Sequence, residues 1–265
     1  MERPDAGRRS IWIVVTCMAR LAFLRRTAPA ALAQPELCYC LVDYSCPEGS
    51  GDWFRATFKH EIEAGRAALV SVPGRRYFQK TVALNAGGRE ALARGAEYLC
   101  FLDGDTILKP GFGAWVVATV RPSRFIVAAR RPDGTDVSGL QGLVVMPAPA
   151  YQRTGGYDEQ MRGWGGEDVD MRLRLGGELK LRCERVPLRL LECIEHGDDL
   201  REKYVGLSKA NSNKRNLELA FGRVSHWDAV KDLLPNLCRR AGRRSASPQH
   251  KQPFRTPLPV GSRKR

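Results

Sequence analysis

Tyr98-Leu99-Cys100-Phe101-Leu102-Asp103-Gly104-Asp105 decides how the rest of the chain is read. A short apolar run closed by turn residues is the pattern of a strand buried on both faces. It stops at two carboxylates separated by one glycine. In open α/β sheets, ligands bind beyond the carboxyl ends of the strands. Side chains i and i+2 of an extended segment point the same way, so both carboxylates face one small volume. Two hard oxygen donors there suit Mg²⁺ or Mn²⁺ carrying substrate phosphates. Asp-Gly-Asp is also an ordinary turn composition, so its surroundings carry the weight.

Upstream, apolar strands alternate with helical stretches. Ile11 to Val15 reads as a first strand ended by Thr16, Leu37 to Val42 as a second ended by Asp43, and Ala67 to Val72 as a third. Arg20 to Leu32 has helical spacing, with Pro29 predicting a kink or an early end. Trp53 to Ala64 reads as one helix, and Leu84 to Ala93 as another despite Gly87-Gly88. This alternation predicts βαβ units and a mostly parallel sheet. Downstream, Phe112 to Val120 fits a helix or a strand, and Phe125 to Ala129 and Gly142 to Met146 are short apolar runs. Pro147 opens a loop, Tyr151 to Gly156 holds a helical turn, and Leu188 to Ile194 is strand-like.

A second acidic cluster follows at Gly163-Trp164-Gly165-Gly166-Glu167-Asp168-Val169-Asp170. Met171 and Leu175 fit a helix beginning near Glu167, and acids in its first turn suit the helix dipole. Trp164 between glycines points beyond that: a large aromatic on a flexible loop packs poorly in a core but can stack on a sugar ring. Carboxylates at the base of such a loop can act as a general base toward a hydroxyl. His196, just after Leu188 to Ile194, can complete the coordination begun at Asp105, and an imidazole in a mixed N/O site favours Mn²⁺ over Mg²⁺.

The 265 residues allow one α/β domain with a sizeable core. No apolar run approaches the ~20 residues of a membrane span, and no signal peptide is recognised before Ile11. Eight Cys without zinc-type pairs predict buried free thiols and a reducing cytoplasm. The net charge is +14, but Arg239 to Arg265 holds nine Lys or Arg and no acid. Two segments are therefore expected: a folded domain over residues 8–236, and a basic, disordered tail over 237–265. The remaining charge is mild, so no specific nucleic-acid partner is expected. Peripheral contact of the tail with an anionic membrane is the sharper alternative to a solvated tail.

At these residues, over roughly Ile11 to Asn216, the chain resembles glycosyltransferases of the GT-A fold in the family 2 group. Its second half is similar to the galactosyltransferase C-terminal domain of the β-1,4-galactosyltransferase kind. Thr16, Val42-Asp43, Ala83-Leu84-Asn85-Ala86-Gly87, Phe101-Leu102-Asp103-Gly104-Asp105, Gly155-Gly156-Tyr157-Asp158-Glu159 and Gly163-Trp164-Gly165-Gly166-Glu167-Asp168 carry the resemblance. It implies a single Rossmann-like domain with a mixed, mostly parallel central sheet flanked by helices. It also implies metal-dependent, inverting transfer of a sugar from a nucleotide-diphosphate donor, UDP-linked, to a glycan, lipid-linked or other hydroxyl acceptor. Thr16, Asp43 and Asn85 then fall at the uridine, and Asp105, Asp103 and His196 at the Mn²⁺ (or Mg²⁺). Asp168 falls at the catalytic base, supported by Glu167, and Trp164, Gly165 and Gly166 at the sugar. Val169 interrupts the family's acidic run, and Cys193 stands where galactosyltransferases place a Met ligand. The acceptor pocket is expected from Ser45–Gly51, Arg130–Gly139 and Asp198–Asn216. The absence of a stem and anchor points to a cytoplasmic enzyme. The alternatives are a degenerate module that binds a nucleotide sugar or glycan, and a nucleotidyltransferase, for which Thr16 to Arg20 lacks the glycines.

Overall fold

The computed structural model describes residues 9–197 and 207–222. The basic segment Arg239–Arg265 and the first part of the expected acceptor stretch 198–216 lie outside the described residues. Among those described, no helix is long and apolar enough to cross a membrane.

Among the described residues nine strands follow one another as β1 (Ile11–Cys17), β2 (Leu37–Asp43), β3 (Ala67–Ser71), β4 (Tyr98–Leu102), β5 (Thr106–Leu108), β6 (Arg124–Ala128), β7 (Val144–Pro147), β8 (Arg182–Val186) and β9 (Leu191–Cys193). Seven of them form one sheet in the order β3-β2-β1-β4-β7-β6-β8, and β5 pairs with β9 in a small second sheet. The pairs β3–β2, β2–β1 and β1–β4 are parallel; β7 runs antiparallel to both β4 and β6; β8 is parallel to β6. The expected mixed, mostly parallel sheet is the one found. Register then fixes geography. Val15 pairs with Leu102 and Cys17 with Asp43, so Thr16, Asp43 and Asp103 leave the sheet at one edge.

The parallel strands are buried on both faces, as their unbroken apolar runs require. Ile11, Ile13, Val15, Leu41, Cys100 and Leu102 belong to one core layer with α1 (Leu21–Leu32). Trp12, Val14, Val42, Leu99 and Phe101 belong to the other, against α4 (Lys80–Ala93). Between these helices come α2 (Ser50–Thr57) and α3 (Lys59–Glu63). After them come α5 (Phe112–Thr119), α6 (Ala148–Thr154), α7 (Glu167–Leu173), a wider π-type turn at Arg174–Glu178, and α8 (Lys209–Gly222).

Several expectations are corrected. The stretch from Trp53 to Ala64 is two helices, broken at Phe58, which turns inward onto Trp53 and Phe54. Helix α1 runs on past Pro29 to Leu32. Pro147 ends a strand and starts α6 where a loop was expected. Leu188 to Leu190 is a 3₁₀ turn, leaving only three residues of strand in that run. Strand β8 was not anticipated. Among the described residues it lies at the sheet's edge and pairs only with β6, and it reads polar because of its five residues only Val186 is fully buried.

Gly87 and Gly88 do not weaken α4; they let it lie flat. A Cβ at Gly87 would stand 2.4 Å from Val14 Cγ1 and 2.7 Å from Val42 Cγ2. One at Gly88 would meet the Tyr151 hydroxyl at 2.5 Å. The intrinsic helix cost of glycine is offset by helix–sheet packing that no other residue permits. Gly87→Ala should therefore destabilise the domain by about 1–3 kcal/mol through overpacking. Gly177→Ala, with nothing within 4 Å of the new carbon, should be near neutral. Urea unfolding of the two variants checks this, and equal midpoints would contradict it.

Candidate functional site

The edge where Thr16 and Asp103 leave the sheet opens into a cleft of about 740 Å³. Thr16, Asp103, Asp105, Trp164, Gly165, Gly166, Glu167 and Asp168 all line it, so eight expected site residues from three separated segments meet there. Thr135, Asp136, Ser138 and Gly139 of the expected Arg130–Gly139 loop line it too.

The two acidic motifs are joined by a residue the sequence did not single out. Lys80, in the first turn of α4, sets its Nζ 2.6 Å from Asp103 Oδ1 and 2.8 Å from Glu167 Oε1. Burial opposes the ammonium, but the two carboxylates outweigh it and hold Lys80 well above the ordinary lysine range. Asp103, expected to help at the cation directly or through the donor's ribose, here faces Lys80. A single lysine at a helix start offers no pattern in the sequence, so no signal pointed to it.

Asp105 lines the cleft with Arg20, and His196 stands against Asp105 without being among the lining residues. Strand β9 pairs antiparallel with β5, and Ile194 N–H donates to the Asp105 carbonyl at 2.8 Å, which carries His196 back to the Asp-Gly-Asp turn. His196 Nε2 stands 2.8 Å from Asp105 Oδ2, and its ring stacks on Phe23 with centroids 5.2 Å apart. Its Nδ1 faces the Gly197 carbonyl at 2.9 Å. A carbonyl and an ionised carboxylate both only accept, so each ring nitrogen of His196 faces an acceptor, with Nε2 aimed at the Asp105 carboxylate. Asp105 is buried, and its Oδ1 has no hydrogen-bond partner among the described residues. Burial first, then Asp103, pushes its carboxyl up. An orphaned carboxylate oxygen beside an imidazole nitrogen is a donor set a divalent cation fits once that nitrogen is free of its proton. Among the described residues no group of three or more His, Cys, Asp or Glu converges, so substrate oxygens would have to complete the shell. Arg20 adds a cation 3.6 Å from Asp105 Oδ2.

Helix α7 begins at Glu167 behind Gly166, whose φ is +91°. Asp168 lies beside Arg172, with 3.8 Å from Oδ2 to Nη2, and Arg172 also donates to the Gln141 carbonyl. Burial pushes the Asp168 carboxyl up to about 6; Arg172 pulls it down and Glu167 raises it again. Asp170, next along, is taken by Arg174 at 2.5 Å, and Arg174 binds the carbonyls of Thr154 and Gly156. Val169, the interruption in the acidic run, packs with the small apolar cluster of Met161, Leu173 and Ala220.

That cluster belongs partly to α8, which was expected as loop. Lys-Ala-Asn-Ser-Asn-Lys-Arg-Asn is a weak helix former, and its contacts with the glycine loop explain why it is helical here. Ser212 Oγ accepts from Trp164 N–H at 3.0 Å, and Asn216 Nδ2 donates to the carbonyls of Arg162 and Gly165. Lys209 Nζ lies 4.7 Å from the centroid of Trp164. Lys209, Asn213 and Leu217 complete the cleft wall.

Two expected donor residues are not brought to the cleft. Asn85 is buried with its amide fully used: it donates to the Tyr157 carbonyl and Glu159, and accepts from Tyr157 N–H and the Tyr151 hydroxyl. It ties α4 to the Gly155–Glu159 turn. Asp43 accepts the N–H groups of Cys46 and Gly51, both at 2.9 Å, and so holds the Ser45–Gly51 loop.

Lys80→Met should leave Asp103 and Glu167 opposed and uncompensated. Breaking such a pair costs about 3 kcal/mol when buried, somewhat less at this partial exposure. Thermal melts of the variant and the wild type check it, and an unchanged melting temperature would contradict the pairing.

Comparison with known proteins places this geometry. Residues 130–197, which hold the Trp164 loop, Asp168 and His196, match the family model for the N-terminal domain of galactosyltransferase. β-1,4-Galactosyltransferase 2 of Cricetulus griseus is 26% identical over 175 residues, covering 62% of this chain and 44% of the relative. The Mus musculus protein is 27% identical over 171 residues, covering 61% and 43%. The chain thus spans less than half the length of these curated relatives. Among solved structures, S. aureus TarS 1–349 with UDP-GlcNAc aligns with a TM-score of 0.61 at 11% identity, over 88% of this chain and 73% of that one. The catalytic domain of Drosophila β1,4-galactosyltransferase 7 with xylobiose aligns with a TM-score of 0.53 at 13% identity, over 78% and 79%. The chain has the fold of the GT-A glycosyltransferases and resembles the β-1,4-galactosyltransferases in sequence.

Proposed function

We propose that the chain is a glycosyltransferase that moves a sugar from a nucleotide-diphosphate donor, UDP-linked, to a hydroxyl acceptor with inversion and with a divalent cation. The observation that carries the reading is the meeting of both acidic motifs across Lys80 in one cleft, with Asp168 beside them. Relatives of this fold have been crystallised with UDP-GlcNAc, UDP and xylobiose, which supports a nucleotide-sugar donor and a glycan acceptor here.

Asp105 and His196 would hold the cation, Mn²⁺ before Mg²⁺ given the imidazole. When bound, it supplies neutralisation of the diphosphate leaving group. Arg20 at Asp105 and Lys80 between Asp103 and Glu167 add fixed positive charge to the cleft, where charge develops as the glycosidic bond breaks. Asp168 lines the same cleft with Trp164 and the glycine loop. There it takes the proton of the attacking hydroxyl while Trp164 lines the sugar. A single displacement then needs only one carboxylate base, because the leaving group is already good. Glu167, held by Lys80, fixes the first turn of α7 on which Asp168 stands.

A base must be ionised to accept a proton. With the Asp168 carboxyl near 6, kcat should fall about tenfold per pH unit below that value. Asp168→Asn should lose about 10²–10⁴ in kcat, with donor affinity nearly unchanged. Ionised Asp168 is disfavoured in the folded protein, since its carboxyl sits above the ordinary 3.8. Above pH 6 it therefore costs stability, and the Asn variant should not melt lower at pH 7.5. Rate profiles and melts of the two proteins check this; unchanged turnover in the variant would refute the assignment.

A further inference from the structure

Beneath the cleft, on the core side of β1, lies a thiol pair the proposed reaction does not use. Cys17, the last residue of β1, is fully buried, and its Sγ stands 3.8 Å from Sγ of the half-buried Cys46 in the Ser45–Gly51 loop. Cys46 Sγ also accepts the N–H of Ala19 at 3.3 Å. Asp43 fixes the backbone of the loop at Cys46, and Glu48 accepts the first N–H of α1, from Leu21, at 2.7 Å. The loop and the β1–α1 turn are thus held together at three points around the two sulfurs.

The backbone marks the same place. Of the three non-glycine residues with positive φ among those described, Ala19 at +57° and Ser45 at +53° flank this pair. Left-handed backbone is unfavourable for such residues and persists where the surroundings over-determine it. The two thiols also differ in character. The hydrogen bond from Cys17, helped by Ser50 and by the N–H groups of Glu48 and Ala19, lowers the Cys46 thiol to about 5 against the cost of burial. The same hydrogen bond and burial push Cys17 far up. A half-buried thiol with its pKa lowered, 3.8 Å from a fully buried one, is the arrangement of a peroxide-reactive cysteine with its resolving partner.

We propose that Cys46 and Cys17 form a reversible redox pair that reacts with hydroperoxides. The Cys46 thiolate attacks the peroxide; the S–O bond forms, the O–O bond breaks, and water leaves after protonation. Cys17 then attacks the Cys46 sulfenic sulfur; the S–S bond forms, the S–O bond breaks, and a second water leaves. Two thiols are oxidised, one hydrogen peroxide is reduced to two waters, and a dithiol reductant restores the pair.

The test treats the reduced full-length chain with hydrogen peroxide, blocks free thiols and maps peptides by mass spectrometry. The expected product is a Cys17–Cys46 linked peptide that grows with peroxide and vanishes with dithiothreitol. Cys46→Ser, at a half-buried position, should give no linked peptide. Cys17→Ala should hold a sulfenic acid at Cys46 that dimedone traps. Cys46 remaining a free thiol in the folded wild-type chain, or linking to any other cysteine, would overturn the proposal. The readout needs no sugar donor, so it stands or falls apart from the transferase reading.

Discussion

The cleft depends on one ammonium group. Asp103, Glu167 and Asp168 are carboxylates crowded into a partly buried space, and their mutual repulsion would spread the walls. Lys80 contacts the first two at once, converting a repulsive arrangement into a bridge between the central strand's end and the start of α7. A cation on a four-carbon stem is suited to this, since it can reach between two elements and offer three donors. The sheet fixes where Asp103 stands and the glycine loop fixes where Glu167 stands; Lys80 sets the distance between them.

Around that bridge the site divides into two chemical ends. Asp105, His196 and Arg20 make an end suited to phosphate and a cation, fed by the β5–β9 pairing and by the start of α1. Trp164, Asp168 and the polar face of α8 make an end suited to a sugar and a hydroxyl. Helix α8 is what makes the glycine loop a defined surface. A Cβ at Gly163, Gly165 or Gly166 would stand 2.4–2.6 Å from side-chain atoms of Ser212, Asn213 or Asn216. The loop is rich in glycine because a helix lies against it.

Much of this was legible in the chain. The buried strands, their parallel alternation and the carboxylates at the end of β4 follow from apolar runs and their terminators, which local chemistry specifies well. The glycine–tryptophan loop and Asp168 were legible for the same reason. Lys80 was not, because a single lysine at a helix start carries no pattern until the fold sets it between two acids. Asn85 was read as a ligand contact, yet its amide satisfies the Tyr157 turn; sequence cannot tell a buried structural amide from a binding one. β8 and α8 were missed because one is a polar edge strand and the other a polar helix held by tertiary contacts.

The central claim is that the Asp105–His196 end of the cleft holds a nucleotide diphosphate through a divalent cation. The most direct measurement is a thermal-shift titration of the full chain with UDP and UDP-sugars, with and without Mn²⁺, in wild type and Asp105→Ala. Saturable stabilisation that requires Mn²⁺ and disappears in the variant is the predicted result, since a ligand bound only by the folded state raises its melting temperature. No shift with any nucleotide at millimolar ligand and metal, or an equal shift in the variant, would contradict the account.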